Sequence, residues 1–176
     1  KDITSIGGSI LSCSRGHQNI DKIIKSLVDS RIDILFCIGG DGTMRAVQAI
    51  TAGIMKQGLK IAVVGIPKTI DNDLDLPHGI PTFGFQTARH IGVEIVKSLM
   101  VDAQTTSRWY FIVTMGRKAG HLALGIGKAT GSTITLVPEE FPGDSIGLNH
   151  VVDVLVGSII KRMSYGRSDG VAILAE

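Results

Sequence analysis

Cysteine is scarce in this chain. Its 176 residues hold only Cys13 and Cys37, a pair too sparse for a disulfide framework and without metal-ligand spacing. A reducing, cytoplasmic setting is therefore expected. Charge of either sign is not in excess. The 18 basic residues against 16 acidic ones leave a net charge of +2, which gives no electrostatic case for nucleic acid or an anionic membrane. No apolar run approaches the roughly 18–20 residues that a membrane span needs. Aromatic residues make up 5% and prolines number 5, and there is neither a low-complexity tract nor a fixed-period repeat. What the chain has instead is glycine, 22 residues of it, on a background that is 44% hydrophobic. Such a chain can bury a core. Its glycines suggest many tight strand-to-helix turns, the signature of an α/β protein acting on small molecules.

Apolar spacing alternates between short continuous runs and helical periodicity. Asn19 is placed to cap a helix whose Ile20, Ile23, Ile24 and Leu27 share one face. The run from Ile32 to Ile38 reads as a strand buried on both faces. It opens through Gly39-Gly40-Asp41-Gly42-Thr43 into a further helix. Ile61 to Ile66 is a second such run, followed by an irregular polar stretch from Pro67 to Pro81. Helices are expected over 88–100, over the glycine-rich stretch that leads to the 134–137 strand and over 146–162, with strands at 109–114, 134–137 and 171–175. Strands alternating with helices predict right-handed crossovers and mostly parallel sheets in a three-layer αβα fold. Lys1-Asp2 does not resemble a natural start, and Glu176 closes a strand-like run. The chain is thus expected to be a segment of a longer protein, weakly active or inactive by itself.

Three segments carry chemistry. In Gly39–Thr43, backbone N–H groups and a helix dipole would converge on one point, which suits a phosphate. A carboxylate there, Asp41, repels phosphate unless a cation such as Mg²⁺ lies between them. The alternative is a structural turn with a solvent-facing aspartate. Pro67-Lys68-Thr69-Ile70-Asp71-Asn72-Asp73 gathers a cation, a hydroxyl and two carboxylates at the end of a strand, where open α/β sheets bind ligands. Lys68 can hold a transferring phosphoryl group, and one carboxylate can take a proton while the other supports a metal. A calcium loop is excluded, because Leu76 and Thr82 stand where an EF-hand needs Gly and Glu; a solvated acidic turn is not. Third, Arg108 and Arg117 flank one strand, so both cannot serve one small site within one subunit. Arginine suits phosphate or carboxylate, although surface ion pairs would use it equally well. Gly125-Ile126-Gly127 and Gly127-Lys128 fall short of the dinucleotide and P-loop patterns, and the five histidines show no ligand spacing.

In order along the whole chain, these segments resemble the 6-phosphofructokinase family. The segments are Gly7-Gly8-Ser9-Ile10-Leu11 with Ser14-Arg15, Gly39–Thr43, Pro67–Asp73, Thr82-Phe83-Gly84-Phe85 with Thr87-Ala88, Met115-Gly116-Arg117 with Ala119-Gly120, and Val137-Pro138-Glu139. Pro67–Asp73 is the most specific of them. The resemblance implies glycolytic phosphoryl transfer to the 1-hydroxyl of fructose 6-phosphate, with Asp71 as general base and Lys68 and Arg15 assisting. It implies Mg²⁺ near Asp41 and Asp73, and donor contacts from Arg15, Gly16, Gly40, Asp41, Gly42 and Thr43. Sugar-phosphate contacts would come from Thr69, Asp71, Met115, Gly116, Arg117 and Glu176. Arg108 would reach the substrate of a neighbouring subunit, so a homo-oligomer is expected, dimer or tetramer. Residues 1–82 would serve the phosphoryl donor and 83–176 the sugar phosphate.

In this family aspartate at the position of Gly42 goes with pyrophosphate use, and so does lysine at the position of Lys68. The chain pairs Gly42 with Lys68, as do ATP-dependent members of the long-chain, pyrophosphate-like branch. A steric exclusion is harder to bypass than an added cation, so the resemblance implies ATP, even though Ala46 stands where many members have glycine. The alternatives are a pyrophosphate-dependent phosphotransferase and a non-catalytic sugar-phosphate-binding regulatory subunit. Ser132-Thr133 is neutral where short bacterial members place an acidic effector contact, so effector control of that type is not expected.

Overall fold

The computed structural model describes all residues except 1, 13–15, 17–18, 118 and 144. Its elements are α1 (Ile20–Asp29), β1 (Ile34–Gly39), α2 (Asp41–Lys56), β2 (Ala62–Thr69), β3 (Phe83–Gly84), α3 (Phe85–Thr106), β4 (Trp109–Thr114), α4 (His121–Thr130), β5 (Ile134–Leu136), α5 (Leu148–Ser164) and β6 (Gly170–Ala175). The chain falls into two compact units, Lys1–Cys37 with Arg45–Val64, and Ile38–Met44 with Gly65–Glu176. Among the described residues, no helix is long and apolar enough to cross a membrane.

In the first unit, the Asn19 side chain accepts the Lys22 backbone N–H at 3.2 Å, satisfying one of the donors that a helix start leaves open. The apolar face of α1 then buries Ile24 against Ile50 and Ile54 of α2, with Ile20, Ile23 and Leu27 packed around them. β1 and β2 are sheet neighbours, joined where Ala62 N–H donates to the Asp33 carbonyl at 2.9 Å. The continuous apolar run predicted a β1 buried on both faces, and here the structure differs. Burial alternates, with Ile34, Phe36 and Ile38 exposed by 55–60%. One face of this strand is left uncovered by the described residues.

The second unit is built around β6. It lies between β4 and β5, parallel to both. Because both its edges are paired and both its faces covered, Val171, Ala172 and Ile173 are almost completely buried. Phe85, Val93, Val96 and Ala103 of α3 pack with Leu122, Ala123 and Ile126 of α4 in the same core. β2 extends further than its apolar run suggested. It runs on to Thr69 because β3 pairs with its last residues in parallel, Lys68 opposite Phe83 and Thr69 opposite Gly84. Parallel sheets flanked by helices are the α/β architecture that the alternating pattern predicted.

Candidate active site

The site is assembled in the second unit, where strands end. β1 stops at Gly39, and Gly40 turns the chain into α2, whose first residue is Asp41. Met44 N–H closes the first helical turn on the Gly40 carbonyl at 3.0 Å. A carboxylate in that turn suits the helix dipole. A side chain at Gly40 would sit 3.7 Å from the Lys68 carbonyl oxygen, so this turn and the end of β2 are close neighbours. At Gly42 a Cβ would meet nothing within 4 Å among the described residues. Glycine inside a helix costs about 0.5–1 kcal/mol relative to alanine, and no packing contact explains it here. What Gly42 preserves is open space.

Beyond β2 the backbone is held by side chains rather than by a ladder. Asp71 N–H donates to Thr69 Oγ1 at 3.1 Å. Asn72 has φ of +55°, a left-handed conformation that asparagine tolerates better than most residues. Its Oδ1 accepts the Thr82 N–H at 2.8 Å, and Thr82 Oγ1 donates to the Thr69 carbonyl at 2.7 Å. Thr82 is only 2% exposed. Removing its hydroxyl would strand a half-buried carbonyl, at a cost of about 1–3 kcal/mol.

Asp71 itself is half-buried, and its Oδ1 is buried with no hydrogen-bond partner among the described residues. Desolvation pushes its carboxyl above the usual carboxylate range. The negative charges of Asp73 and Glu176 add to that rise, while Arg117 and Lys68 oppose it. These four residues span more than a hundred sequence positions, from Lys68 to Glu176, and each acts on one carboxylate.

The ends of β4 and β6 supply the far members. Their parallel register sets Thr114 opposite Ala175, and Glu176 N–H donates to the Thr114 carbonyl at 2.9 Å. Glu176 and Met115 therefore leave adjacent strands side by side. Gly116 follows, in a buried position where a Cβ would collide with the Ala119 carbonyl oxygen, so the turn presenting Arg117 requires glycine. α4 begins just beyond, with Gly120 N–H held by Glu139 Oε1 at 2.8 Å.

Of the residues expected from sequence, Lys68, Thr69, Asp71, Asp73, Met115, Gly116, Arg117 and Glu176 lie at these strand ends, with Gly40 beside Lys68. Arg108 does not join them. It precedes the other end of β4, where its carbonyl accepts the Gly170 N–H at 3.1 Å and its guanidinium acts on Tyr110. Six residues of strand, about 20 Å, separate it from Met115. Arg15 lies outside the described residues, and Gly16 is an exposed residue of the first unit. Asn72, Thr82 and Glu139 had no role assigned from sequence; the signals were an asparagine suited to a left-handed turn and a threonine and a glutamate in otherwise apolar surroundings. Among the described residues no group of three His, Cys, Asp or Glu side chains could hold a metal ion. Carboxylate oxygens nevertheless suit Mg²⁺, which is usually held by one or two of them together with substrate phosphates.

A family model described as phosphofructokinase matches residues 1–176. The chain is 50% identical over 175 residues to a protein of Thermotoga maritima named pyrophosphate–fructose 6-phosphate 1-phosphotransferase, covering 97% of this chain and 41% of that one. It is 40% identical over 156 residues to the ATP-dependent 6-phosphofructokinase of Amycolatopsis methanolica, covering 86% of this chain and 34% of the relative. The crystal structure of Pichia pastoris phosphofructokinase in the T-state is similar over 100% of this chain and 20% of its own, with a TM-score of 0.80 and 25% identity. The chain thus spans well under half the length of these relatives.

Proposed function

The chain belongs to the phosphofructokinase family, and we propose that the whole protein transfers a phosphoryl group to the 1-hydroxyl of fructose 6-phosphate. The observation that carries this reading is Asp71, a half-buried carboxylate with an oxygen unpartnered among the described residues and a raised proton affinity, ringed by Lys68, Arg117, Asp73 and Glu176. That is the sense in which a general base must be tuned. Asp71 takes the proton of the 1-hydroxyl as its oxygen bonds to the transferring phosphorus, and the bond from phosphorus to the leaving phosphate oxygen breaks. Little covalent help is needed in such a transfer; positioning and charge neutralisation dominate. Lys68 at the end of β2, with Arg15, neutralises the transferring group. Arg117, Met115, Gly116, Thr69 and Glu176 orient the sugar phosphate. Asp41 and Asp73 would hold Mg²⁺ together with the donor's phosphates, and when bound the ion offsets their negative charge. Apart from Thr69 and Asp71, residues 1–82 serve the donor and 83–176 the acceptor, while Arg108, remote from Asp71 in its own chain, serves a neighbouring subunit of a homo-oligomer.

The open space at Gly42 supports ATP as donor, since it leaves room for a further phosphate of a nucleotide. The name of the relative at 50% identity favours a second reading, in which pyrophosphate is the donor. The test supplies the full-length protein with fructose 6-phosphate, Mg²⁺ and either donor, and follows fructose 1,6-bisphosphate. Product from ATP supports the first reading and product from pyrophosphate alone supports the second. Binding of fructose 6-phosphate with no product from either donor would leave only a regulatory subunit.

A further inference from the structure

We infer that Thr82, gripping Thr69 and Asn72 on either side of Asp71, is a positioning residue that fixes where the base stands. The inference rests on the reading of Asp71 as the base. Asp71 has no side-chain anchor of its own, since its Oδ1 lacks a partner among the described residues. Its location is therefore set by its backbone, and that backbone is tied at two points to one residue. Before Asp71, Thr82 Oγ1 donates to the Thr69 carbonyl at 2.7 Å, and Thr69 Oγ1 in turn receives the Asp71 N–H at 3.1 Å. After Asp71, the Thr82 N–H donates to Asn72 Oδ1 at 2.8 Å, with Thr82 Oγ1 a further 3.3 Å contact to the same oxygen.

Thr82 is well suited to hold rather than to react. It is 2% exposed, so it cannot itself meet a sugar phosphate. It immediately precedes β3, whose pairing of Phe83 with Lys68 and Gly84 with Thr69 fixes its height along β2. Asn72 completes the clasp from a left-handed backbone with φ of +55°. The polar segment between the two residues has only the short turn Pro77–Gly79 as regular structure. Without the clasp, Asp71 would be tethered only through β2. Displacements of about 1 Å from a productive geometry are enough to cost about 100-fold in rate.

The test uses the full-length enzyme with fructose 6-phosphate and its productive donor. Thr82→Val keeps the branched shape and removes the hydroxyl. The expected result is a kcat lowered about 10–100-fold with KM for fructose 6-phosphate little changed. Thr82→Ser should restore most of the rate. Asn72→Gly keeps access to the left-handed backbone, removes the other half of the clasp and should show the same split; it decides the matter if Thr82→Val does not fold. Wild-type kcat in these variants, beside an inactive Asp71→Ala enzyme, would overturn the clasp alone. A rate loss matched by an equal rise in KM, or not rescued by serine, would do so too. An Asp71→Ala enzyme with normal rate would refute the base assignment and the inference with it.

Discussion

Two aspartates of the second unit are treated in opposite ways. Asp169, just before β6, is 8% exposed and is held by Arg162 at 3.0 Å and by Arg167 at 2.9 Å. Hydrogen bonds from those arginines, Arg167 first, keep its carboxyl far below the usual range despite its burial. Asp71, beyond the end of β2, is half-buried with no partner for Oδ1 among the described residues, and desolvation drives its carboxyl the other way. One carboxylate stabilises the fold, and the other is carried by it. Burial is common to both; what separates the two carboxylates is whether donors compensate the burial.

The comparison can be broken most sharply through Asp71. In the full-length enzyme, Asp71→Asn should lower kcat about 10²–10⁴-fold while raising Tm at pH 7–8, because it removes an uncompensated charge. A normal rate, or a lowered Tm, would erase the contrast. Asp169→Asn should instead lose about 1.5–3 kcal/mol of stability, measured by denaturant unfolding, with kcat of the folded enzyme little altered. The pH dependence should differ in sign. Asp169, with its folded pKa depressed, contributes stability above about pH 4 that disappears as pH falls through the folded value; Asp71, with its folded pKa raised, subtracts stability once pH climbs past its ordinary range. The Tm deficit of Asp169→Asn should therefore shrink in acid, and the gain of Asp71→Asn should vanish below about pH 4. The smallest effect belongs to Arg167→Gln. Its side chain is 47% exposed against 26% for Arg162, so it should cost only about 0.2–1 kcal/mol. A larger loss than for Arg162→Gln would show that the two hydrogen bonds of Arg167 to Asp169 outweigh its exposure.

Elements with strong apolar periodicity were legible from the residues alone. Asn19 announced α1 through its own capping chemistry, and the strand predicted over 109–114 is β4, Trp109–Thr114. β3 was not legible, because two residues, Phe83 and Gly84, carry no period. Lys68 and Thr69 read as loop for a related reason: their polar side chains hide a strand whose pairing depends on residues fifteen positions later. The run around Ile34 to Ile38 misled in the opposite sense, since apolar residues record what a strand tolerates rather than what covers it. Lys68, Asp71 and Arg117 could be picked out as candidates because ionisable side chains at strand ends are conspicuous. The Thr82–Asn72 clasp could not, because hydrogen bonds to a backbone carbonyl and across ten residues have no signature in composition or spacing.

The place of β6 between β4 and β5 has a consequence for how the chain acquires its shape during synthesis. The central strand of that sheet is the last to leave the ribosome, after its two neighbours and α5. Until it arrives, β4 and β5 have no ladder to join and present unpaired edges, the kind of surface on which nascent chains associate wrongly. Insertion of β6 then closes both edges at once and brings Glu176 to Thr114 in the same step. Pairing of these three strands and the approach of Glu176 to the end of β4 are one late event.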